Sequence, residues 1–152
     1  MYLEISSRRS GKTTRLVEAV KRHSDEGGYS VVRGMNVHVA KIGLEPLLKG
    51  VARVKVIGYW KDGMLDNFPE YDNARWFYDE FDHIKDVEIF PNGYYAGTPR
   101  FIRTDLLDKA DILLRLIEAN KMSYNAHLTR FDWMVEATEG GLPTHELGVF
   151  IA

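Results

Sequence analysis

The sequence predicts an α/β fold, a three-layer domain in which helices flank a mostly parallel central sheet. Three observations point there. A short apolar run, Tyr2 to Ile5, enters a glycine-lysine loop and continues into TTRLVEAVKRHS, Thr13 to Ser24, whose Leu16, Val17 and Val20 share one helical face. Gly27-Gly28 then ends that helix, and Tyr29 to Arg33 (YSVVR) reads as a buried strand. A strand, helix and strand in this order form a unit with parallel pairing and a right-handed crossover. Further short strands follow at Arg53 to Tyr59 (RVKVIGY), which alternates, at Ala74 to Tyr78 (ARWFY) and at Gly93 to Ala96 (GYYA).

Between these strands, Asn36 to Leu48 reads as a weaker helix interrupted by Gly43 and Pro46. Trp60 to Asn73 is rich in Gly, Pro, Asp and Asn and reads as an exposed loop. Its aromatics, Trp60, Phe68 and Tyr71, are expected to pack against the domain rather than serve a partner. The longest periodic segment runs from Thr104 to about Leu128, with Thr104 or Asp105 as N-cap. Tyr124 and Phe131 to Val135 are read as core, and a GGLP break precedes the last apolar run, LGVFI.

At 152 residues and 45% hydrophobic content, the chain fits one domain, residues 1–152, with a single sizeable core. Its formal charge of -2, from 20 basic and 22 acidic residues, gives no global attraction for nucleic acid. There is no cysteine, which excludes disulfides and thiolate metal sites. The start MYLEIS lacks the features of a secretory signal, and no segment approaches a membrane-spanning length. The expectation is a cytoplasmic protein with no membrane partner. The five histidines, His23, His38, His83, His127 and His145, lack mutual metal-ligand spacing, so a zinc site is not expected.

The chemistry concentrates in ISSRRSGKTTRL, Ile5 to Leu16. It ends like the phosphate loop G-x-x-x-x-G-K-[ST], with Ser6 where the first glycine stands. Such a loop holds phosphate oxygens with consecutive backbone N–H groups and the positive end of the following helix. Gly11 allows the close approach, Lys12 supplies charge for the β- and γ-phosphates, and the Thr13 hydroxyl can bind Mg2+. Ser6 is compatible with this if its turn needs no positive φ. The competing reading is that Lys12 only decorates a helix start. A second element, RWFYDEFD, ends an apolar strand in two acids. Asp79 suits a magnesium ligand and Glu80 a base for an attacking water, although acid pairs also occur as solvated strand ends.

Ser7-Arg8-Arg9-Ser10-Gly11-Lys12-Thr13-Thr14 resembles the variant phosphate loop of the large terminase family, the ATPases that package DNA into tailed-phage heads. Trp76-Phe77-Tyr78-Asp79-Glu80 is similar to that family's second motif, and Gly97-Thr98-Pro99 to its third, coupling motif. The resemblance covers about Ile5 to Arg100. It implies a P-loop NTPase core of the additional-strand, RecA-like type, with residues 7–14 on ATP, Thr13 and Asp79 on Mg2+, Glu80 as catalytic base and Thr98 sensing the γ-phosphate. It also implies that Arg8, with Arg9 as the alternative, acts on the phosphates in cis, although both could be surface arginines that add only affinity. Ring-shaped homo-oligomers, and DNA or phage proteins as partners in the host cytoplasm, belong to the same expectation. No adenine-recognition segment or nuclease domain is recognisable within the 152 residues. Two other readings stay open: a small nucleoside or nucleotide kinase, and a nucleotide-binding regulatory module with little turnover.

Overall fold

The computed structural model describes residues 1–98 and 112–123. Five strands, β1 (Tyr2–Ile5), β2 (Ser30–Arg33), β3 (Val54–Ile57), β4 (Arg75–Asp79) and β5 (Tyr94–Gly97), form one sheet in the order β1-β5-β4-β2-β3. Every pairing is parallel. Helix α1 (Lys12–Asp25) follows β1, and α3 (Ile112–Ser123) lies within the segment read as the longest helix. The weaker helical stretch is broken as its glycine and proline suggest: one turn of α2 (Val37–Val39), a π turn at Ala40–Leu44, and a 3-10 turn at Pro46–Leu48. Asn36 starts it by accepting a 2.9 Å hydrogen bond from the Val39 N–H. Pro99, the Thr104 or Asp105 cap, Tyr124, Phe131 to Val135 and the last apolar run lie outside the described residues.

Strand alternation gives the sheet two apolar faces. Phe77, Tyr94, Ala96 and Val32 pack against Leu16, Val17 and Val20 of α1. Leu3, Ile5, Tyr78 and Tyr95 pack against Leu113, Leu116 and Ile117 of α3. Helices therefore cover both faces, which makes the architecture α/β, with a sheet that is parallel throughout the described residues. A third cluster, Val31, Ile57, Tyr71 and Ala74, anchors the loop after β3. Trp60 packs edge-on against Trp76 at 5.0 Å, and Tyr71 is buried, as expected for packing aromatics. Phe68 differs: it is exposed and lies under the Lys55 ammonium, 3.3 Å from its ring centroid.

The register sets the level of the site. Ile5 pairs with Gly97 and Asp79 with Ala96, so β1, β5 and β4 end almost flush at their carboxyl edge. Ser6, Thr98 and Glu80 are the next residues on each strand. In open parallel sheets this edge is where ligands bind. Among the described residues no helix is long and apolar enough to cross a membrane.

Candidate phosphate and metal site

The loop from Ser6 to Gly11 turns directly from β1 into α1. Gly11 occupies the helix N-cap at φ 86, ψ 17, a left-handed conformation that glycine adopts without strain. Among the described residues no side chain caps the helix, and its first turn holds no acidic residue. The first N–H groups of α1 are thus left for an anion. Arg9 also has positive φ, at 59, whereas Ser6 does not. The serine in the first glycine's place therefore sits in backbone that any residue can adopt.

Ser6 is fully buried and joins a polar clamp. Its hydroxyl donates to Glu4 at 2.9 Å and lies 2.7 Å from the Ser10 hydroxyl, across the loop. Arg15 completes the clamp: Nε donates to Glu4 Oε1 at 3.1 Å, Nη2 is ion-paired to the same carboxylate, and Nη1 donates to the Ser10 carbonyl at 2.8 Å. Ser6 N–H donates to the Gly97 carbonyl at 3.1 Å, which ties the loop to β5. The sequence reading missed Glu4 and Arg15. Their signal was a charged residue in the otherwise apolar run YLEI, opposite an arginine one turn into the helix.

Lys12 is no surface decoration. Its side chain is 4% exposed, its Nζ donates to the Ser6 and Ser7 carbonyls at 3.2 and 3.1 Å, and it lies 3.4 Å from Glu80 Oε1. The Thr13 hydroxyl donates to both carboxylate oxygens of Asp79 at 3.2 Å. The Thr98 hydroxyl donates to Glu80 Oε2 at 3.0 Å. Lys12, Thr13, Asp79, Glu80 and Thr98, far apart in the chain, thus meet at one end of the sheet. The arginines do not join them: Ser7, Arg8, Arg9 and Thr14 are exposed, and among the described residues neither arginine side chain has a hydrogen-bond or ion-pair partner.

Glu80 adopts a left-handed conformation at φ 52 immediately after β4. This turns the chain into a 3-10 turn, Phe81–His83, that packs back on the end of β5. Gly97 makes room for it: a Cβ there would come within 2.5 Å of the Phe81 ring. Burial pushes the Asp79 carboxyl up to about 6, and the neighbouring Glu80 charge adds to the rise, while the Thr13 hydroxyl and Lys12 oppose it. A carboxylate held at such a cost suits a cation that would restore its charge.

Oxygen donors at Thr13 and Asp79 fit magnesium, which takes hard oxygen ligands at ideal octahedral geometry. Adjacent ligands at its usual bond lengths stand about 3 Å apart. The 3.2 Å between the Thr13 hydroxyl and the Asp79 carboxylate matches that spacing. Compared with known proteins, the chain matches no family model, and no curated protein or solved structure matches it significantly.

Proposed function

We propose that this chain binds ATP with Mg2+ and hydrolyses it, as a P-loop NTPase core of the type found in phage DNA-packaging motors. The observation that carries the reading is the meeting of the three motifs: the Thr13 to Asp79 contact at 3.2 Å, with Lys12 and Thr98 both on Glu80. The position of β5 between β1 and β4 supports the additional-strand form of this fold.

In this reading the α1 N-terminus and the loop N–H groups hold the phosphates, and Lys12 exchanges its two loop carbonyls for phosphate oxygens. Thr13 and Asp79 would hold Mg2+, which when bound would offset charge on the phosphoryl oxygens. Glu80 aligns the attacking water and accepts its proton. Thr98, bonded to the same carboxylate, sets its orientation and links γ-phosphate loss to β5. Arg8 lies exposed on the loop, from which its guanidinium could fold onto the phosphates. DNA as cargo, and assembly as a ring, follow from the motor reading.

The test is phosphate release with Mg2+ and ATP. Lys12→Ala should weaken nucleotide binding, and Glu80→Gln should bind ATP normally while turnover falls by about 100-fold or more, the usual scale for a general base. Wild-type protein that releases no phosphate, and binds ATP no better than Lys12→Ala, would sink the proposal.

A further inference from the structure

Glu80 and the turn that follows it hold a set of potential ligands, of which the nucleotide reading uses only Glu80. One carboxylate oxygen each from Glu80 and Asp82 and a ring nitrogen of His83 all lie within 4.8 Å of one another. A cluster of this kind on a surface would mean little, but Asp82 is not on the surface. Its side chain is 8% exposed, and its Oδ1 is buried with no hydrogen-bond partner among the described residues. Its other oxygen, Oδ2, lies 3.6 Å from His83 Nε2. An unsatisfied buried carboxylate oxygen is costly, and a bound cation removes that cost.

Asp82 and Glu80 both lie beside the carboxyl end of β5. A Cβ on Gly97 would come within 3.0 Å of Asp82 Oδ1, so the oxygen faces the backbone end of β5. The next residue, Thr98, holds Glu80 Oε2. Both acids thus flank one point at the end of the strand. His83 is 53% exposed and leaves the approach open to solvent.

We propose that Glu80, Asp82 and His83 form a binding site for a borderline divalent transition-metal ion, with Zn2+ as its best probe. One imidazole nitrogen and two carboxylates suit such an ion, whereas Mg2+ prefers oxygen alone. The site is separate from the all-oxygen pair Thr13 and Asp79. Tetrahedral zinc ligands stand roughly 3.4 Å apart, so Asp82 and His83, at 3.6 Å, already stand near that spacing, and the wider separations, none above 4.8 Å, must shorten on binding. Zinc here would draw Glu80 away from Lys12 and Thr98. If Glu80 is the hydrolytic base, a clause that rests on the proposed function, the filled site would switch turnover off.

The test is calorimetric titration of metal-free full-length protein with Zn2+, without nucleotide. The expected result is one zinc per chain, with affinity reduced at least tenfold in both His83→Ala and Asp82→Asn and unchanged in His38→Ala. Circular dichroism checks folding, and the exposed position of His83 keeps that variant informative even if Asp82→Asn unfolds. Absence of zinc binding by the wild type, or wild-type affinity in folded protein of either site variant, overturns the site. For the regulatory clause, zinc should suppress wild-type phosphate release, and suppress His83→Ala less relative to its own zinc-free rate. Equal suppression of both overturns that clause. A zinc-free wild type with no phosphate release fails the nucleotide reading instead, while the titration still decides the metal site.

Discussion

Asp79 sits at the buried end of β4 beside a second carboxylate, and both circumstances disfavour its ionised form. Its carboxyl rises from an ordinary value of 3.8 to about 6. Below the lower value it is protonated in folded and unfolded chains alike. Between the two values the folded chain keeps a proton that the unfolded chain has lost, so stability falls as pH rises through this window. Above it the folded protein carries the ionised group at a cost on the order of 1–3 kcal/mol. Asp79→Asn keeps an acceptor for the Thr13 hydroxyl without the charge. In thermal melts of metal-free protein, the variant should therefore be more stable than wild type at pH 8, with the difference disappearing near pH 3.5. An equal difference at both pH values would show that burial of the charge is not its source.

At the scale of elements, the loop between β1 and α1 is held from behind. Glu4 on β1, Ser6 and Ser10 in the loop and Arg15 on α1 form one connected polar group, so the strand, loop and helix cannot shift independently. Ser6→Ala removes both the donor to a buried carboxylate and the contact with Ser10. Urea denaturation should show a loss of about 1–2 kcal/mol, more than an ordinary surface hydroxyl contributes. An unchanged midpoint would mean that Arg15 alone satisfies Glu4. The strand, loop and helix were legible in ISSRRSGKTTRL because each obeys a local rule of spacing or turn chemistry. The clamp was not, since it depends on which way Glu4 and Arg15 point once the helix has folded back on the sheet. The cluster of Glu80, Asp82 and His83 escaped for a related reason: pairs of histidines at ligand spacing are visible in sequence, but one histidine and two acids become a set only when Glu80 turns left-handed.

At the scale of the molecule, α3 closes the face of the sheet opposite α1, where Leu116 is fully buried among β1 and β5 side chains. Leu116→Ala should cost about 2–5 kcal/mol, read from the urea midpoint, as expected for a cavity in a packed core. A loss below about 1 kcal/mol would show that this face does not depend on the helix. The apolar spacing of the segment after Thr104 pointed to a helix. Its docking side could not be read, because a stripe of leucines fits any apolar face.

The sequence by itself determined the strand segments, the left-handed turn at Gly11 and the identity of Lys12, Thr13, Asp79, Glu80 and Thr98 as candidates. These follow from local regularities: periodicity, a glycine where φ is positive, and polar residues at strand ends. Only the tertiary structure decided that β5 lies between β1 and β4, that the three motifs meet at one edge, and that Arg8 stays outside the contacts formed there. It also decided that Glu4 is buried and that the Asp82 side chain is largely enclosed. Strand order and side-chain partnership are long-range properties, set by which faces bury together.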